Sequence, residues 1–282
     1  MSKLYFVATK HEQYRTKHYE PDSVIVDPWR YVPDQLNSRV RRIGQRRPET
    51  ISVLIPSRGR PEMFERMYRS LVQTVVFPRQ VEVVAMLDED DLSKANYPIP
   101  DGIMLPTHTS VKLIYAVGDR CLLSEAWNNC VYWASGNIFM HCGDDLTFDT
   151  PGWDVKVRDA FAAVPDKILF AYGNDLGPHG ETFGTHGFIH RRWIEATGYF
   201  LPPLFSSDWN DVWLNEVARM INRHQLLDFV TEHHHYTFGK AERDQTHAER
   251  EERGIADGVV DLYKRTAKER EADAMKLREV MA

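Results

Sequence analysis

From residue 51 onward the apolar positions alternate between two periods. Ile51-Ser52-Val53-Leu54-Ile55, Val81-Glu82-Val83-Val84-Ala85-Met86-Leu87, Val111-Lys112-Leu113-Ile114-Tyr115, Ile138-Phe139-Met140-His141-Cys142 and Ile168-Leu169-Phe170-Ala171-Tyr172 are short, nearly continuous apolar runs. That is the length and composition of strands buried on both faces. Between them, Met63, Met67, Leu71 and Val72 fall near helical spacing within 62–74, and Trp127, Val131 and Trp133 do so within 124–134. Strands alternating with helices predict an α/β fold, a mainly parallel sheet flanked by helices and joined by right-handed crossovers. Pro151 precedes a further predicted helix over 153–164, where proline suits the first turn. Another helix is predicted to open at Ser206-Ser207-Asp208-Trp209 and to run to about Arg223, followed by a late strand at Leu226-Leu227-Asp228-Phe229-Val230.

The two ends of the chain are patterned differently. Within 1–50 only Leu4-Tyr5-Phe6-Val7-Ala8 and Ser23-Val24-Ile25-Val26 read as short strands, which predicts an N-terminal arm packed on a core domain of 51–247. Residues 248–282 are densely charged, with Ile255, Val259, Leu262, Tyr263, Ala267, Ala274, Leu277 and Met281 forming one narrow apolar stripe. That spacing predicts a C-terminal amphipathic helix. It would pack back on the domain or pair with a second copy as a homo-oligomer.

Composition narrows the class. The 282 residues are 43% hydrophobic and 27% charged, enough for one large domain with appendages. No apolar run approaches a membrane span, and the first residues lack the apolar core of a signal peptide. Cys121, Cys130 and Cys142 are an odd count without metal-type spacing, which predicts reduced thiols in a cytoplasmic protein. A net charge of -6 argues against a large nucleic-acid footprint. Arg39, Arg41, Arg42, Arg46 and Arg47 run the other way. They are either a solvated arm or a clamp for phosphates.

Candidate chemistry gathers at strand ends. The Ile138 run is broken by Gly143 and followed by Asp144-Asp145, on the rim of the predicted sheet. Ligands of open α/β sheets sit outside the carboxyl ends of strands, and paired carboxylates there suit a divalent cation. The plainer alternative is a solvated Asp-Asp turn. Asp88-Glu89-Asp90-Asp91 ends the Val81 run on the same edge. His233 and His235 alternate on an extended segment, so their imidazoles face one way and could reach one ion together.

The order of these segments resembles the family 2-type glycosyltransferases of the GT-A (Rossmann-like) fold. The resemblance rests on Ser52-Val53-Leu54-Ile55-Pro56-Ser57-Arg58-Gly59-Arg60-Pro61, on Asp88 after the second strand, and on the region from Arg120 to Asn128. Ala134-Ser135-Gly136-Asn137-Ile138-Phe139 before Asp144-Asp145 completes it. It covers roughly 51–222, with a weaker tail to His247. It implies that Pro56, Ser57, Arg58, Arg60 and Asp88 hold the base and ribose of a nucleotide sugar, and that Arg120 contacts the diphosphate. The metal, Mn2+ or Mg2+, would sit on Asp145 with Asp144 beside it, its shell completed by His233 or His235. Lys240 would reach the pyrophosphate. One departure stands out: the usual Asp-x-Asp is Gly143-Asp144-Asp145 here.

The family's catalytic base is an acidic residue at a helix start, commonly a Glu-Asp pair before an aromatic residue. Here Ser207 stands in the Glu position, and the match rests on Asp208 and Trp209, with Asp211 the competing carboxylate. The implied reaction moves a sugar from a UDP- or GDP-sugar to an acceptor hydroxyl, by inversion if Asp208 is the base, with retention left open. Protein, glycan and modified DNA all remain as acceptors. Two rivals remain: a sugar-phosphate nucleotidyltransferase, which typically carries a glycine-rich first loop, and a non-catalytic binding module of the same fold.

Overall fold

The computed structural model describes residues 3–7, 13–14, 17–20, 23–26, 39–41, 49–98 and 111–281. They divide into two compact units, Met1–Pro48 and Glu49–Ala282. In the first, β1 (Leu4–Phe6), β2 (Val24–Val26) and β3 (Arg39–Arg41) form a parallel sheet in that order. Val7, Tyr19 and Ile25 are its buried apolar residues. The side chains of the Arg39 to Arg47 cluster lie outside the described residues.

The second unit runs β4 (Ile51–Ser57), α1 (Pro61–Thr74), β5 (Val81–Asp88), β6 (Lys112–Gly118), α2 (Leu123–Trp133) and β7 (Ile138–His141). It continues with β8 (Leu146–Phe148), α3 (Trp153–Ala163), β9 (Phe170–Asn174), β10 (Gly187–His190), α4 (Arg191–Thr197), α5 (Asn210–Met220) and β11 (His224–His233). Three helices close it, α6 (Gln245–Ala256), α7 (Val259–Arg265) and α8 (Ala267–Val280). The strands form one sheet in the order β6-β5-β4-β7-β10-β9-β11-β8. The first four are parallel neighbours, as the alternating pattern predicts. β10 then enters antiparallel between β7 and β9, β9 and β11 are parallel, and β8 pairs antiparallel with β11.

Strand periodicity assigns the two faces. Val53, Ile55, Val83, Ala85 and Met140 point to the layer that holds Phe64, Met67 and Leu71 of α1 and Trp153, Val157 and Phe161 of α3. Leu54, Val84 and Phe139, one position out of phase, point to the layer of Trp127 and Cys130 (α2), Trp213 and Val217 (α5) and Leu277 (α8). A one-residue slip would exchange these layers. Two buried carboxylates fix the loops between them. Glu82 accepts from Ser52 Oγ at 2.7 Å and Ser135 Oγ at 2.8 Å, which holds the turn into β7. Asp154 accepts from the backbone N–H groups of Val76 and Phe77, both at 3.0 Å, and pairs with Arg158.

Three elements differ from the sequence expectation. The helix expected from Ser206 starts at Asn210, because Trp209 takes a left-handed backbone (φ 80°) and stacks on Tyr263. Asp208 therefore makes no side-chain cap bond to α5. The late strand is ten residues long and reaches His233. The single C-terminal helix is three, parted by a left-handed Gly258 (φ 58°) and by Thr266. α8 packs against α4 and α5, and its buried Asp273 accepts from Trp213 Nε1 at 3.1 Å. Among the described residues no helix is long and apolar enough to cross a membrane.

Candidate active site

The carboxyl ends of β4, β5 and β7 open into one cleft of about 220 Å³. Pro56 and Ser57 come from the end of β4, Arg58 and Arg60 from the loop after it, Asp88 from β5, and His141 with 143–145 from β7 and its loop. Asp208 and Asp211 line it from the start of α5, His233 and His235 from β11 and beyond. Of the residues that the resemblance assigns to donor, metal or base, Lys240 does not line the cleft: its Nζ pairs with Glu232 at 2.9 Å and donates to the Leu176 carbonyl.

The two adjacent carboxylates have different partners. Asp144 accepts from Ser57 Oγ at 2.6 Å and from Arg60 Nη1 at 3.3 Å. Arg60 is itself forked onto Asp244, at 2.8 and 2.7 Å. Burial pushes the Asp144 carboxyl up to about 6 against the pull of Arg60, with Asp145 alongside adding to the rise. Burial also opposes the charge on Asp145, but the hydrogen bond of His233 first, and then the charge of Arg60, outweigh it and hold this carboxyl below its ordinary value. Protein groups thus occupy Asp144, while Asp145 is a buried anion facing imidazoles, the state a metal ligand needs.

Four histidines surround Asp145 in two groups, Asp145 with His186 and His233, and Asp145 with His235 and His247. In each group the potential ligand atoms lie within 4.8 Å of one another. His233 Nε2 is 3.2 Å from Asp145 Oδ2, and its Nδ1 lies 4.0 Å from Asp175. His235 Nδ1 is held by Thr237 Oγ1 at 2.7 Å, and His247 Nδ1 lies 2.8 Å from Asp244 Oδ1, to which it can donate its proton. Their Nε2 atoms are buried without a partner among the described residues. One ring nitrogen anchored and the other left open is the usual orientation of a metal-bound imidazole. Burial holds His186 well below its ordinary value and His235 near 4, so both are the neutral form that binds cations. The donor set fits a divalent ion. Its imidazole share favours a first-row transition ion over Mg2+, which prefers oxygen.

His186 and His247 were not legible in the sequence. His186 stands in a glycine-rich loop and His247 on the charged face of a helix, and neither belongs to a periodic or clustered histidine motif. Gly143 explains the departure from Asp-x-Asp. A side-chain carbon there would meet Asp145 Oδ1 at 2.6 Å and His186 Nε2 at 3.1 Å. The space of a first acidic side chain is taken by the second carboxylate and an imidazole.

Ser207 has a similar reason. α6 crosses so closely that a side-chain carbon on Gly254 would meet Ser207 Oγ at 2.7 Å, and Ser207 is buried. Asp208 beside it is 49% exposed at the side chain and pairs with Arg250 Nη1 at 3.2 Å. Asp211 is set deeper: burial first, then the charge of Asp208, pushes its carboxyl up to about 6 against the Val212 N–H. On the opposite wall Arg58 holds Asp88 at 3.0 Å and also pairs with Asp90. Arg120 holds Glu249 at 2.7 Å.

No family model matches the chain, and no curated protein matches it. Solved structures do. A mannosyltransferase from Pyrobaculum calidifontis, in complex with GDP-Man and Mn2+, is similar at 15% identity over 65% of this chain and 56% of its own, with a TM-score of 0.48. S. aureus TarS 1-349 in complex with UDP-GlcNAc is similar at 15% identity over 69% of this chain and 62% of its own, TM-score 0.48. The catalytic domain of Drosophila beta1,4galactosyltransferase 7, in complex with xylobiose, is similar at 12% identity over 70% of this chain and 75% of its own, TM-score 0.44. The chain thus spans under two thirds of the mannosyltransferase and of TarS.

Proposed function

We propose that this chain is a metal-dependent glycosyltransferase that moves a sugar from a nucleotide-sugar donor to an acceptor hydroxyl. One observation carries the reading: a buried Asp145 ringed by imidazoles, a set of arginines, and the Asp208–Asp211 pair all face one cleft at the carboxyl ends of parallel strands. Each part answers a need of the reaction. The base and ribose of the donor lie against Pro56, Ser57, Arg58 and Asp88. Asp145 holds the cation together with His186 and His233 or with His235 and His247, Mn2+ in preference to Mg2+. When bound, that ion offsets the charge that grows on the departing nucleoside diphosphate.

Asp208 takes the acceptor's proton. It stands where the cleft meets solvent, so an incoming hydroxyl reaches it without the donor moving. Asp211 lies behind it, and its raised carboxyl keeps a second full charge from forming easily beside the base. A single displacement with inversion follows from one carboxylate on the acceptor side. Arg60 and Ser57 fix Asp144, which keeps the neighbouring peptide, and with it Asp145, in place. Three free thiols, two of them buried, suit a reducing, cytoplasmic setting.

The test is product identity. With Mn2+ and a panel of UDP- and GDP-sugars, the protein should release nucleoside diphosphate, and Asp145→Ala should abolish release. Release of pyrophosphate instead, or no turnover and no nucleotide binding with any donor, would sink the reading.

A further inference from the structure

The C-terminal helix α6 forms one wall of the cleft and presents Thr246, His247, Glu249, Arg250 and Arg253 to it. Its arginines differ from those of the sheet side. Arg58 is neutralised by Asp88 and Asp90, Arg60 by Asp144 and Asp244, and Arg120 by Glu249. The side chain of Arg253 makes no hydrogen bond or ion pair among the described residues, and its Nε is buried with no partner. Arg250 has the half-exposed Asp208 as its ion-pair partner, and its Nε is likewise buried and unpartnered. Burial, and then the charge of Arg120, works against the ionisation of Arg253. A guanidinium nevertheless stays protonated in proteins. A partly buried guanidinium with unmet donors is costly, and two of them one helical turn apart on one face, Arg253 unpaired and Arg250 held only by a half-exposed carboxylate, are a fork for an anion.

We propose that Arg250 and Arg253 are the clamp for the diphosphate of the donor. The identity of the anion rests on the glycosyltransferase reading, while the presence of an anion site rests on the two guanidinium groups alone. A diphosphate offers several oxygens to charge-assisted, bidentate hydrogen bonds, enough for both side chains. It would also draw Arg250 away from Asp208, so that a bound donor exposes the carboxylate that the acceptor then meets. Glu249 and Asp257 are the acidic groups near Arg253 on its own side, and Asp88 faces it from β5. None of the three bonds it.

The experiment is calorimetry with three probes, inorganic pyrophosphate, UDP and GDP, each with Mn2+, on the full chain and on Arg250→Gln, Arg253→Gln and Arg253→Lys. Each Gln variant should bind pyrophosphate about 10- to 100-fold more weakly, the scale of a lost charge-assisted contact. Arg253→Lys keeps the charge and loses the fork, so it should recover part of the affinity. Unfolding midpoints of the variants, measured in parallel, should stay near that of the parent. Parental pyrophosphate affinity in either Gln variant overturns the clamp. If UDP or GDP binds but neither variant weakens it, the clamp fails and the nucleotide-sugar reading stands. If pyrophosphate binds through Arg253 while neither nucleotide binds, the clamp stands and that reading fails. No binding of any probe overturns both.

Discussion

Gly143→Ala is the sharpest probe of the ion site, because it removes no ligand and leaves the backbone in an allowed region. The added methyl would lie 2.6 Å from Asp145 Oδ1, about 0.8 Å inside the 3.4 Å at which ordinary contact begins, and 3.1 Å from His186 Nε2. Asp145 cannot yield easily, since it is buried against His233 and packed beside Asp144. Coordination tolerates displacements of only about 0.2 Å, so a shift several times larger takes at least one ligand out of position. Disturbing the support of a metal ligand typically lowers affinity by about 10- to 100-fold, or about 1.4 to 2.7 kcal/mol. Overpacking a full site adds about 1 to 3 kcal/mol of destabilisation. Calorimetry with Mn2+ should therefore find at least tenfold weaker binding in a folded protein whose unfolding midpoint falls by a few degrees. Binding of Mn2+ at parental affinity would refute the reasoning, since it would mean that neither Asp145 nor His186 belongs to the site.

Further outcomes follow from the same geometry. Asp145→Ala should abolish the effect of Mn2+ on nucleoside-diphosphate binding, and chelation of the parent protein should lower its affinity to the same level; a titration with and without chelator checks both. Asp208→Asn should cut turnover by about 10²- to 10⁴-fold, the scale of general-base catalysis, with donor affinity unchanged. Asp211→Asn should cut it far less, and steady-state kinetics showing the reverse would move the base to Asp211. Asp154→Ala should cost about 3 to 5 kcal/mol in chemical denaturation, because Arg158 is left buried without its partner and two backbone N–H groups lose their acceptor.

Much of the sheet was readable because its strands are buried on both faces. Val53-Leu54-Ile55 and Val83-Val84-Ala85 are apolar at every position, and each ends at a polar residue on the same edge, which is why the cleft could be placed at Ser57, Asp88 and Asp144-Asp145. The antiparallel entry of β10 was not readable: Gly187-Phe188-Ile189-His190 is as apolar as a parallel strand, and direction leaves no trace in composition. Half of the histidines around Asp145 were missed for a different reason. His233 and His235 share one extended segment and signal their common face by spacing, whereas His186 and His247 arrive from separate elements through tertiary packing. The C-terminal stripe reads as one helix since the step from Ile255 to Val259 keeps the three-four rhythm across the break at Gly258, and Leu262 and Tyr263 continue it. That Asp208 is exposed and Asp211 set deeper was not readable, since it follows from the left-handed turn at Trp209.

The wall built by α6 also bears on how the molecule comes together. Arg60 is forked onto Asp244 across 184 residues of chain, and Thr246 Oγ1 donates to the Arg58 carbonyl across 188. Loop closure over such spans carries its entropic cost before any contact repays it, and contacts of high sequence separation slow folding. The strand edge with Ser57, Asp88 and Asp144 can form from contacts within the first hundred residues of the second unit. The complete cleft exists only after the last quarter of the chain has docked. During synthesis, then, the parallel half β6-β5-β4-β7 can form early and stays without its cationic wall until α6 has emerged.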